Sequence, residues 1–222
     1  ASAGTSNFRA GVNAGNSIES GGNFNVLVGD EAGTAITTGD SNVAVGAAAL
    51  DANTTGASNT AVGDLALTDN TTGGSLVAVG RYALGANTTG VYNVGVGYQA
   101  LYNNTTGDKN VAVGYQSLKS NTTADYNTAF GDQALESNTT GGFNTAVGYI
   151  ALDANTTASY NTSIGAYSLT ENTTGESNTA VGQTALRLNT TGNANTAVGR
   201  QALDAEVAGN YSTAVGDQEL TG

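Results

Sequence analysis

The residues best placed to do chemistry come as a recurring triplet. Asn-Thr-Thr stands at Asn53, Asn70, Asn87, Asn104, Asn121, Asn138, Asn155, Asn172 and Asn189. Each is an Asn-x-Ser/Thr acceptor, the pattern on which a sugar is transferred to an asparagine amide. Three further acceptors begin at Asn103, Asn161 and Asn210. The triplet also has the makings of a tight corner. Asn tolerates left-handed backbone, Thr bonds back to the main chain, and Gly56 follows where a positive φ is expected. The middle Thr never varies, although an acceptor does not require it. Turn geometry is therefore expected to be the main cause of the triplet, with covalent glycans added on the same corners.

Other chemistry is scarce. The 222 residues contain no His, Cys, Pro, Met or Trp. Imidazole bases, thiol nucleophiles and the usual zinc shells are thus excluded, and so is a disulfide framework. Carboxylates fall at variable positions, and no break in the pattern makes room for a site. No enzyme, cofactor or metal is expected. With 18 acidic and 6 basic residues the formal charge is −12. That balance argues against nucleic acid and against an anionic membrane surface, both of which need clustered Lys and Arg. No apolar run is long enough to span a bilayer. The chain opens on Ala1, and "ASAG" reads as a mature N-terminus after signal removal, so a secreted or cell-surface location is expected.

The elements that position the triplet follow from its spacing. A Val-Gly pair recurs with its Gly at Gly29, Gly46, Gly63, Gly80 and so on to Gly216, every 17 residues. A degenerate unit, NFRAG, places Gly11 18 residues before Gly29. We read residues 1–222 as one repeat domain, with 1–18 a degenerate first coil and 19–222 regular. Inside each unit, N-T-A-V-G alternates with period two, a strand pattern rich in β-branched residues. Helix fails because Gly and Asn recur inside every candidate segment. Two short strands and two turns fit one unit. A single unit cannot cover its own apolar side chains, so stacked neighbours must do so. The predicted fold is all-β, a parallel β-solenoid of about thirteen coils.

The structural ladder is expected at Asn59, Val62, Gly63 and Leu67 and their equivalents. Val62 and Leu67 are the expected core, with Leu recurring from Leu50 to Leu220. Gly63 marks a bend or a close approach that admits no side chain. Asn59 recurs as Asn25, Asn42, Asn93, Asn110 and onward, and stacked amides can bond along the axis. Charges and aromatics fill variable columns: Asp64, Arg81, Tyr98, Tyr115, Asp132 and Tyr149 in one, Tyr92, Tyr126, Phe143, Tyr160 and Tyr211 in another. These make either a half-buried Tyr row or an exposed lateral or glycan-binding surface. A water-ordering, ice-binding Thr face is a minor reading, because Thr54 and Thr55 are adjacent and should point to opposite faces.

The motif N-T-A-V-G-x-x-A-L, matched best at Asn59, Val62 and Gly63, resembles the head repeats of trimeric autotransporter adhesins. It is similar also to repeats of phage tail fibres and bacterial surface fibres. The resemblance covers the second to the last unit and implies a left-handed parallel β-roll, commonly a homotrimer with a binding role. The Asn-Thr-Thr-Gly corner lengthens that family's better-known repeat, and no neck, heptad stalk or membrane anchor is visible. The register points to another arrangement. Six residues follow Gly216, and Gly11 lies eleven residues into the chain, so copies placed end to end keep the spacing of seventeen. Open strand edges are pairing templates, and a head-to-tail contact builds a filament. The leading expectation is an extracellular structural protein that polymerises head to tail; the alternative is a trimeric adhesin head or phage-fibre binding module.

Overall fold

The computed structural model describes residues 6–19 and 21–218. Ala1, Leu220 and Gly222, on which expectations above rest, lie outside the described residues. The chain divides into two compact units, residues 1–109 and 110–222. In the first, β1 (Phe8–Ala10), β2 (Val26–Val28), β3 (Val43–Val45), β4 (Thr60–Val62), β5 (Val77–Val79) and β6 (Val94–Val96) are parallel, each paired to the next. In the second the same holds for β7 (Val111–Val113), β8 (Thr128–Phe130), β9 (Thr145–Val147), β10 (Thr162–Ile164), β11 (Thr179–Val181), β12 (Thr196–Val198) and β13 (Thr213–Val215). Each unit is a parallel β-solenoid with no helix among the described residues. Register is equivalent on equivalent: Ala44 pairs Ala61, and Val45 pairs Val62.

Each coil has one three-residue strand, not the expected two. The rest of the coil turns on left-handed residues. In the coil around β4, Ser58, Leu65 and Leu67 have φ of 61°, 58° and 54°. Their equivalents repeat this in the coils of β3 to β12, so three non-glycine residues in each of these sit in a region that costs an L-residue about 1–2 kcal/mol each. Parallel-ladder hydrogen bonds and core burial hold them there. Leu67 is fully buried, its amide donating to Ala83 O in the next coil at 3.0 Å.

The strand faces are the reverse of the expected ones. Ala61 points inward and is fully buried, whereas Val62 points outward and is 37% exposed. The interior is narrow: Leu67, Ala66, Ala61, Asn53 and Asn59 fill it, all with no exposed surface. Beside the leucine that most coils contribute, only a small residue fits on the strand, so the larger Val faces out. Val62 belongs to the ladder through its backbone alone.

Gly63 does what its spacing implies. Its φ is +141°, and a β-carbon there would lie 2.6 Å from the carbonyl carbon and oxygen of Gly80 in the next coil. Neither backbone can yield without breaking the parallel ladder.

Candidate functional site

The Asn-Thr-Thr corner is the feature to test for chemistry. Its asparagines point into the coil. In the first unit Asn70 Nδ2 donates to Asn53 Oδ1 at 2.8 Å, Asn87 to Asn70 at 2.9 Å, and Asn104 to Asn87 at 2.9 Å. In the second unit Asn138 donates to Asn121 at 3.0 Å, Asn155 to Asn138 at 2.8 Å, Asn172 to Asn155 at 3.2 Å and Asn189 to Asn172 at 2.9 Å. Each amide also donates to the carbonyl three residues on; for Asn53 this is Gly56 O at 3.0 Å. All nine side chains are fully buried.

This corrects the expected acceptor role of Asn53, Asn70, Asn87, Asn104, Asn121, Asn138, Asn155, Asn172 and Asn189. A glycosylated amide would have one hydrogen replaced by a sugar inside a packed interior. Of the three further acceptors, Asn161 is buried in the second asparagine column, Asn103 is half-buried, and Asn210 is exposed. The signal that the corner column points inward is available in the sequence: Ile36 occupies it one coil before Asn53 and is fully buried.

The column of Asn59 works differently from simple amide stacking. Asn59 Oδ1 accepts from Leu76 N at 3.0 Å, and Asn59 N donates to Asn42 Oδ1 at 3.0 Å. Its Nδ2 reaches Gly73 O at 2.9 Å. That carbonyl also accepts from Asn70 Nδ2 at 3.0 Å, so the two asparagine columns converge on one oxygen. Buried carbonyls that leave the β ladder at the corner are satisfied this way, which the interior requires.

Gly56 is not the positive-φ residue of the corner. A β-carbon there would meet Gly73 O and Asn53 Oδ1 at 2.3 Å, so close approach is the reason for glycine. Ala124 and Ala158 nevertheless occupy the same column, 5% and 1% exposed. The left-handed residue is Ser58 instead.

The two threonines divide. Thr54 is half-buried, and its Oγ1 donates to Thr71 O at 3.1 Å, a bond repeated from coil to coil. This explains the invariant middle Thr that an acceptor motif does not need. Thr55 is exposed, as are its equivalents from Thr38 to Thr191.

The aromatic columns are exposed. Tyr126, Phe143 and Tyr160 stack with centroids 4.8 and 5.2 Å apart and planes within 10°. All three hold the left-handed Ser58 position, with φ of 60°, 59° and 63°. In the first unit Arg81 bonds Asp64 at 2.9 Å and lies 4.6 Å over the Tyr82 ring. The hydrogen bond to Asp64, then the Tyr82 charge, raise the Arg81 pKa.

One carboxylate is perturbed. Burial first, then the charges of Glu136 and Glu171, push Asp153 up to about 6. Its Oδ1 is buried without a hydrogen-bond partner. Glu136 is satisfied by Lys119 at 3.5 Å and Gln133 Nε2 at 2.8 Å. Among the described residues no group of three or more His, Cys, Asp or Glu is placed to hold a metal ion.

No protein-family model, no curated protein and no solved structure matches the chain. The fold defines its class, a tandem-repeat parallel β-solenoid.

Proposed function

We propose that this chain is a non-enzymatic structural protein of a secreted or cell-surface fibre, in which copies continue one another end to end. One observation carries the reading. In both units equivalent residues of successive coils pair in one register, and the Asn53 and Asn59 columns repeat the same donors and acceptors, with Ile36, Leu76 and Glu206 among the departures. A coil of a second copy fits that ladder as a coil of the same chain does, and such a contact propagates without closing. The absence of clustered basic residues agrees with a role that involves neither nucleic acid nor an anionic bilayer.

A second reading has its own observation. The outward column of Val45, Val62, Val79, Phe130, Ile164 and Val198 is 36–57% exposed, yet it stays apolar in every coil of both units. A solvent-facing column free to vary would acquire polar residues. This favours lateral association of copies, as in the homotrimeric heads and phage fibres that the motif resembles.

Electron microscopy of the purified protein separates the two. Long filaments whose length grows with concentration support end-to-end assembly. Discrete particles of three chains support the lateral one. A monomer at every concentration overturns both.

A further inference from the structure

The corner leaves one invariant side chain without a task. Asn53 is bonded in the buried ladder, Thr54 in the hydroxyl ladder, and Gly56 is fixed by close approach. Thr55 is none of these. Its side chain is exposed, and among the described residues no hydrogen bond of its hydroxyl occurs within the fold. The same holds for Thr72, Thr89, Thr140, Thr157 and Thr174.

An internal repeat tests its own columns. Another exposed column drifts: three residues beyond Thr55 it runs Ser58, Ser75, Tyr92, Lys109. Over ten corners the Thr55 column does not drift. It is Thr from Thr38 to Thr106 in the first unit and from Thr123 to Thr191 in the second, five times in each, and gives way to Gly21 and Ala208 at the corners that hold Glu19 and Glu206 in place of an Asn-Thr-Thr triplet. A side chain kept constant while exposed and unbonded acts on something outside the chain.

We propose that the Thr55 column is a row of O-glycosylation acceptors. The hydroxyl oxygen has free lone pairs, sits on an exposed corner and is flanked by the buried Gly56, so a transferase can approach it. In the transfer, Thr55 Oγ1 attacks the anomeric carbon of a nucleotide-activated sugar. The bond from that carbon to the diphosphate breaks, the nucleoside diphosphate leaves with the electron pair, and the hydroxyl proton passes to the transferase's base. The group must be uncharged. Coils repeat at about 4.8 Å, and phosphates at that spacing, on a chain of net charge −12, would repel one another strongly. The inference rests on the corner alone, whichever way copies assemble.

Peptide mapping by mass spectrometry, on protein recovered from the cells that make it, tests the proposal. Neutral sugar masses localised by electron-transfer fragmentation to Thr55 and its equivalents are expected. Bare corner peptides, sugar confined to Thr54-type residues, or acetyl in place of sugar would overturn it. A second test needs no native source. Thr55→Ala combined with Thr72→Ala should leave the urea midpoint unchanged, while Thr54→Ala with Thr71→Ala lowers it. Equal losses from both pairs would make the Thr55 column structural and remove the proposal.

Discussion

Leu27 fills the space that Gly33 leaves. In most other coils the strand contributes a small residue to the interior, usually alanine but Gly95 in β6 and Ser163 in β10, and the Leu67 column contributes a leucine. In the coil of β2 the sizes are exchanged: Leu27 points in from the strand, and Gly33 stands where leucine would be. A β-carbon on Gly33 would lie 2.8 Å from Leu27 Cδ2. The two columns therefore share one volume. Leu27→Ala alone should open a cavity and cost about 2–5 kcal/mol, and Gly33→Leu alone should overpack and cost about 1–3 kcal/mol. The double variant restores the ordinary sizes of these two columns, while Ile36 Cδ1, 2.8 Å from a Gly33 β-carbon, remains, so its cost should fall below the sum of the single losses. Urea denaturation of the four proteins gives the coupling. Additive losses would show that the columns do not share space.

The buried amide ladder makes a second prediction. Asn138 donates to Asn121 Oδ1 and to Gly141 O, and accepts from Asn155 at 2.8 Å. Asn138→Ala leaves two buried amide groups short of a partner, at about 1–3 kcal/mol each. A loss of about 3 kcal/mol is expected. Asn138→Asp should be worse at pH 7, where a carboxylate oxygen faces Asn121 Oδ1 with no proton to give. Denaturation at pH 7 and pH 4 measures both, and a neutral Asn138→Ala would contradict the ladder.

Much of this architecture is legible in the spacing, and the rest fails for identifiable reasons. Gly63 announces itself because close backbone approach tolerates nothing else. Leu67 is apolar in coil after coil, and burial follows. The T-A-V alternation says that Thr60 and Val62 share a face but not which face is inside. Apolarity favours Val62, while the space beside Leu67 and its neighbours admits only Ala61, and space decides. The Asn-Thr-Thr pattern fits an acceptor and a buried ladder equally well, since a motif carries no orientation. Ile36 in the Asn53 column is the signal that separates them. Nothing in the composition of Leu65 and Leu67 shows their left-handed φ, because leucine is indifferent to the stacking that imposes it.

The inverted strand faces yield a third prediction. Val147 is half-exposed while Ala146 and Leu152 are fully buried. Val147→Thr should change the stability of an isolated chain by less than about 0.5 kcal/mol. Leu152→Ala should cost about 2–5 kcal/mol. If lateral association uses the Val column, Val147→Thr with Val181→Thr will instead lower the oligomer's dissociation midpoint on dilution. Thermal melts combined with sedimentation distinguish these effects. A large loss from Val147→Thr in a monomer would place valine back in the core.

Asp153 supplies the pH dependence. Its folded pKa of about 6 stands above the ordinary 3.8 because burial, then Glu136 and Glu171, disfavour the charge. Lys119 is engaged with Glu136 and does not offset this. A raised pKa means that the folded state holds the proton more tightly than the unfolded one. The associated stability is fully present below about pH 4 and is lost as pH rises through 6. A shift of about two units corresponds to about 3 kcal/mol at most, and a half-exposed site screens it to about 1 kcal/mol. Asp153→Asn removes the charge and should stabilise the protein by about that amount at pH 8 while doing little at pH 4. Melting curves of both proteins across this range provide the check. Parallel pH profiles would show that the unpartnered Oδ1 of Asp153 carries no such penalty.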